Sequence, residues 1–415
     1  LEHVASAPST RLGIRLGLAT ALLTALLSSF PTLAHAEIAV GEPQASAPAS
    51  PPDSLDVPDG DFPYEARKIA GPLFMPWSLA FLPDGRILVT ERPGRLRLIE
   101  GERLLPDAIS GVPEVVTGGH SGLLDVLVDN DFPNTHRLFL SYMQGTPEAR
   151  TIRVIRARLE GMALVDKQVI FASRPAAAGP DQIGGRLAFG GDGTIYLTIG
   201  ERMQKERAQD LLDDGGKIVR FRDDGSIPDD NPFAGRSDAL PEIFSYGHRN
   251  PQGLIGNAGD GFLWSIEQGP KGGDELNVIT SGGNYGWPLV TYGVNYDGTI
   301  ISDHTSEPGL IDPIHTWVPS VAPASLVSYS GTVMPDDWQG NLLIGTLVGE
   351  CLIRLKLSNG TVIKEERYLH HTIGRIRDVA VGPEGFVYLL GDGTEAYLYR
   401  LEPIEDVVAK AKPVR

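Results

Sequence analysis

The chain has 415 residues, 41% of them hydrophobic, and 53 acidic against 36 basic side chains give it a formal charge of −17. That excess of carboxylates argues against nucleic acid as a partner. One cysteine, Cys351, excludes an intrachain disulfide framework, and its apolar, strand-like run at 351–357 predicts a buried small hydrophobe.

Residues 1–36 read as a secretory signal. Arg11 and Arg15 form a basic start, 16–30 is an apolar run, and Ala34-His35-Ala36 is a small-residue cleavage site. A membrane span needs about 20 apolar residues, so export to the periplasm or medium and removal are expected, with no span left in the mature chain. The chain opens on Leu1, so its natural start is expected upstream. Residues 37–60 are rich in Ala, Pro and Ser without apolar periodicity, which marks a flexible linker. The folded domain is expected over 61–404, followed by a tail at 405–415.

Within that domain, two apolar runs flanking a Pro/Gly-Asp/Glu-Gly turn recur. The clearest copies are 78–91, 186–200 and 378–391, with looser ones at 123–142, 253–266 and 326–347. Asp-Gly between apolar runs is a strong hairpin signal. Further strands follow at 95–99, 152–158, 217–221, 351–357 and 398–401. Six such units point to an all-β fold, a six-bladed β-propeller with four-stranded antiparallel blades, whose ligand site sits near the mouth of the central channel, with a β-sandwich or barrel carrying long loops as the alternative.

Three motifs carry the chemistry. The run from Glu267 to Pro288 sets Asp274, Glu275 and a Gly269-Pro270 carbonyl step against a Gly-Gly-Asn-Tyr-Gly-Trp turn, a set of oxygen donors suited to a hard cation such as Ca2+. The second, GHRNPQ at 247–252, presents Arg249 and Asn250; in the third, at 374–379, Arg375 and Arg377 share one face of a strand. Guanidinium forks of this kind clamp carboxylates.

Together these stretches resemble the soluble pyrroloquinoline quinone (PQQ) sugar dehydrogenases of the glucose/sorbosone type, in order, from about Pro76 to Glu402. The resemblance also implies a six-bladed propeller. It implies that Arg249, Asn250, Arg375 and Arg377 hold PQQ and that the Gly269 and Pro270 carbonyls hold the calcium on it. Glu275 and the Tyr285 carbonyl would bind a second, structural calcium. Trp317, in TrpValProSerValAlaPro, would stack on the sugar or serve as a core aromatic.

Three departures accompany the resemblance. His120 stands where the family carries a glutamine that contacts quinone and sugar, and Gln182 stands on the family's base histidine. A carboxamide has no basic nitrogen to take the C1 hydroxyl proton, whereas an imidazole does. The exchange is reciprocal, so His120 is read as having inherited the base role and the cofactor contact. Gln182 then orients substrate or quinone, with Asp181 hydrogen-bonding nearby. The third departure is Val348, where the family usually has a lysine close to the quinone. Three readings follow: a PQQ- and Ca2+-dependent aldose dehydrogenase; a propeller that binds quinone or sugar without turnover; or a calcium-dependent lactonase-like hydrolase using His120 with Asp125 or Asp181. No CxxCH haem site occurs in the sequence, so a dehydrogenase would need a separate electron acceptor. Monomer and dimer are both open.

Overall fold

A computed structural model describes residues 54–56, 62–256 and 261–404. The segments read as signal and tail lie outside the described residues, as does most of the linker. Six four-stranded antiparallel sheets follow one another along the chain, and together they form a six-bladed β-propeller. Their innermost strands are Pro76–Phe81, Leu123–Val128, Gly184–Phe189, Pro251–Ile255, Pro323–Ser328 and Ile376–Val381, and the blades are numbered one to six in that order. Each predicted hairpin is the inner pair of one blade, as in Leu79↔Val89, Leu187↔Leu197 and Val379↔Leu389.

Two pairings at the N-terminal end lay beyond the repeat pattern. Strand Tyr64–Leu73 pairs with Ala396–Pro403 as the outer strand of blade six, so the two ends of the domain close the ring. Ser54–Asp56, inside the stretch read as linker, forms a short strand parallel to Thr361–Tyr368 and adds a fifth strand to blade five. Helix is almost missing among the described residues, where the one α-helix is the four-residue Phe132–Thr135. No described helix is long and apolar enough to cross a membrane.

A domain this long avoids one oversized core by packing each blade on the next. Leu88, Leu98 and Leu140 fill the wedge between blades one and two, Phe139, Leu197 and Phe221 that between two and three, and Leu343, Leu352 and Leu389 that between five and six. Because both faces of a blade are covered, strands such as Leu342–Thr346 and Ile195–Ile199 are buried along their whole length. Cys351 is fully buried in the wedge between blades four and five.

The channel is blocked from within. Arg186, on the inner strand of blade three, reaches one group from each of the other five blades: the Ser78 hydroxyl (3.4 Å), Asp125 (3.4 Å), the Gln252 carbonyl (3.1 Å), the Ala324 carbonyl (3.3 Å) and Asp378 (3.2 Å). Its guanidinium also lies 4.4 Å from the centre of the Trp77 ring.

Candidate active site

Above this plug, the first residues of the inner strands and the loops leaving the second strands form a small cleft, lined among others by Trp77, Arg92, His120, Gln252, Gln268 and Arg377.

One wall is cationic. Arg375 Nε lies 2.9 Å from Asp392, and Arg377 donates to the same carboxylate through Nε (3.2 Å) and Nη2 (3.1 Å). Burial works against charge on Asp392, yet Arg377 and Arg375 hold its carboxyl below the usual range. Burial pulls Arg377 downward, and repulsion from Arg92 and Arg375 adds to it while Asp392 opposes it. A wall with more guanidiniums than carboxylates suits a polyanion.

Arg249 and Asn250 sit on the opposite side. Arg249 donates to the carbonyls of Gln268 (2.8 Å) and Gly269 (2.6 Å), and Asn250 bridges the Gly184 backbone and Gln268. The GHRNPQ loop is anchored from below by its histidine. His248 is wholly buried, stacks on Tyr285, and joins Ser245 (2.9 Å) to Glu267 (3.0 Å), whose other oxygen receives the Arg249 N–H at 2.7 Å. With no solvent access, this Ser-His-Glu chain positions the loop.

His120 and Gln182 come from loops that touch. The His120 N–H donates to the Pro180 carbonyl (3.0 Å), and a Cβ on Gly119 would stand 2.4 Å from Asp181. His120 keeps half its side chain open, with Nδ1 3.6 Å from Asp181. The surrounding protein lowers its pKa from the ordinary value by desolvation; Asp181 pulls it up, and Arg377 and Arg92 push it down. The net effect favours the neutral imidazole. Gln182 is buried, with φ at +52°; its amide nitrogen contacts the Met203 sulfur at 3.4 Å and its Oε1 is enclosed without a hydrogen-bond partner.

The acidic run is less of a loop than its sequence suggests. Asp274–Val278 is a strand, and it sets Glu275 directly opposite Glu267. Asp274 is engaged by the backbone N–H groups of Gly269 (2.9 Å), Val321 (2.7 Å) and Ala322 (2.9 Å), which makes it a loop clamp. Burial, reinforced by Glu267, pushes the Glu275 carboxyl well above its normal range. Asn277 donates to both glutamates at 3.2 Å, while its own Oδ1 is buried without a partner. These hard oxygens suit Ca2+, although no cluster of three or more His, Cys, Asp or Glu able to hold a metal occurs among the described residues. Tyr285 packs beneath, its hydroxyl donating to the Val278 carbonyl at 2.6 Å.

Two expectations are corrected. Trp317 lies outside the cleft lining: it is 3% exposed, in the wedge between blades four and five, with its indole N–H on Glu365 at 3.0 Å. The core-aromatic alternative is the one realised, and Trp77 is the aromatic on the cleft. Asp125 is no partner for His120, because its carboxylate accepts from Ser78, Arg186 and the Leu187 N–H. The sequence reading also passed over Arg92, Gln252 and Gln268. The glutamines lay inside quoted motifs, while Arg92 follows the first hairpin, where a turn arginine reads as surface.

Comparison with known proteins agrees with this fold. The family model described as Glucose / Sorbosone dehydrogenase matches residues 73–400. Aldose sugar dehydrogenase YliI of Escherichia coli is 39% identical over 334 residues, 79% of this chain and 90% of that protein. Quinoprotein glucose dehydrogenase B of Acinetobacter calcoaceticus is 27% identical over 413 residues, 79% of this chain and 85% of that one. The solved PQQ-bound form of aldose sugar dehydrogenase from Streptomyces coelicolor superposes with a TM-score of 0.69 at 28% identity, covering 82% of this chain and 97% of that one. The chain belongs to the glucose/sorbosone dehydrogenase family.

Proposed function

We propose that this protein is an exported, PQQ- and Ca2+-dependent dehydrogenase that oxidises the C1 hydroxyl of an aldose to the lactone. The observation that carries the reading is the cationic wall around Asp392, which opens onto the same cleft as a neutral histidine. PQQ bears three carboxylates, and Arg375, Arg377 and, across the cleft, Arg249 and Asn250 would hold it. The Gly269 carbonyl, which already attracts one cation in Arg249, would with Pro270 face its calcium. A second calcium would take Glu275 and the Tyr285 carbonyl, a role supported by the unpartnered Asn277 Oδ1 beside Glu275.

Bound PQQ supplies a two-electron acceptor for the hydride from sugar C1. The protein's share is the proton. With Nδ1 turned to Asp181, Nε2 of His120 is the nitrogen left to accept the C1 hydroxyl proton, and the carboxylate stabilises the imidazolium that results. Gln182 would orient substrate or quinone through the loop it shares with Asp181, because its own Oε1 is enclosed. The plug of Arg186 closes the channel behind the cleft, so sugar and a separate electron acceptor would share the open mouth.

The test loads the purified mature protein with Ca2+ and PQQ and follows dye reduction by a panel of aldoses. Activity in the wild type that His120→Ala removes by at least 100-fold supports the reading. A wild type that binds PQQ without turnover, rescued by Gln182→His, makes the chain a degenerate binder.

A further inference from the structure

The cationic wall has a third member. Arg92 leaves the second strand of blade one, its backbone fixed on both sides: the N–H donates to Met75 (3.0 Å) and the carbonyl accepts from Leu123 (2.9 Å). Loop 119–122 closes over it, and a Cβ on Gly122, where φ is +147°, would fall 2.1 Å from the Arg92 carbonyl oxygen. The side chain is thereby directed along the cleft lining, beside His120 and Arg377.

Its charge is poorly matched. Nη1 donates to the Gly119 carbonyl at 2.8 Å, and Nε is buried without a hydrogen-bond partner. The neighbouring carboxylate on its own blade, Glu91, is held by Arg95 and by the Phe74 N–H. That leaves Asp392, which already serves Arg375 and Arg377. Three guanidiniums thus face one carboxylate, and burial together with Arg375 lowers the Arg92 pKa against the pull of Asp392. Two surplus positive charges in a partly desolvated wall destabilise the protein alone and favour an anion in the cleft.

We infer that Arg92 is a cofactor-binding residue, a third guanidinium that takes a carboxylate of PQQ beside Arg375 and Arg377. This rests on the proposed reading of the cleft as a PQQ site. It also gives this chain a cation on the quinone where Val348 offers none, since that side chain is apolar and 60% exposed.

The test is binding, read without turnover: the Ca2+-loaded full chain is titrated with PQQ by equilibrium dialysis, for wild type, Arg92→Gln and Arg92→Lys. The expected result is a Kd weakened roughly 10- to 100-fold in Arg92→Gln, the worth of one charge-assisted hydrogen bond. Arg92→Lys should fall between, with the charge kept and the fork lost. Without PQQ, Arg92→Gln should melt no lower than wild type, because repulsion within the wall is relieved. A wild type that binds PQQ while Arg92→Gln binds equally well overturns the role of Arg92 and leaves the PQQ reading standing. A wild type that does not bind PQQ overturns both.

Discussion

The guanidinium of Arg186 lies 3.2 Å from the Asp378 carboxylate, an ion pair that joins blade three to blade six across the propeller axis. Asp378 in turn accepts the Leu79 N–H of blade one at 2.9 Å, and Asp125 of blade two does the same for Leu187 of blade three at 2.7 Å. The axis is thus a hydrogen-bonded belt, with one cation between two carboxylates.

Removing that cation leaves two buried carboxylates unpaired. Arg186→Met should cost about 3–5 kcal/mol of stability, measured as a lower urea midpoint. Asp125→Asn combined with Arg186→Met should recover part of the loss, because one orphaned charge is then gone.

Proton transfer by His120 has a pH signature. In the protein without PQQ its pKa is depressed by desolvation and raised by Asp181, so the His120 imidazole of that form should titrate below the ordinary value of about 6.5 by NMR, and in the PQQ-loaded enzyme the same group should set the acid limb of kcat/KM. Asp181→Asn removes the anion that supports the imidazolium. Its acid limb should therefore move to lower pH, and kcat should fall as the developing charge loses its partner. An acid limb that stays in place would separate Asp181 from the base.

Calcium should show itself through Glu275. Its carboxyl is raised by burial and then by Glu267, so in metal-free protein its contribution is present below about pH 4 and is lost as pH rises through the elevated native value. At neutral pH, Ca2+ should raise Tm and release a proton from this site. Glu275→Gln should abolish the proton release and reduce the Tm gain, while melting no lower than wild type in chelator. Differential scanning calorimetry with and without EDTA reads the difference.

A second buried group lies away from the cleft. Asp214, with Oδ1 enclosed and unpartnered, is pushed to about 8 by burial and by Glu242, and burial brings Lys217 down to about 7. Asp214 is protonated in the folded state up to that value, so its contribution is full below about pH 4 and is lost as pH rises to 8. Lys217 acts oppositely, with stability rising between about 7 and 10.4 as the unfolded chain alone keeps the proton. Asp214→Asn should therefore gain on wild type from pH 4 to 8 and hold that difference above pH 8, read from urea midpoints across the range.

The inner hairpins were legible because each is local: alternating apolar residues and an Asp-Gly or Glu-Gly turn specify a strand pair within about 15 residues, as at 78–91. The family motifs were legible for a similar reason, since Arg249, Asn250 and Gly269 fall in short contiguous stretches. What the sequence by itself determined is therefore the repeat, the fold class and the family. Tertiary structure decided the rest, because the deciding contacts join residues far apart in the chain. Arg186 became the axial plug through partners between 61 and 192 positions away, drawn from five blades. Trp317 was withdrawn into a wedge by Glu365, 48 residues on, and Trp77 faced the cleft in its place. Arg92 carried no signal in the sequence, because only blade closure placed Arg375, Arg377 and Asp392 beside it. Charge that is cheap in water becomes informative once a fold buries it with too few partners, and burial is the property a linear pattern does not carry.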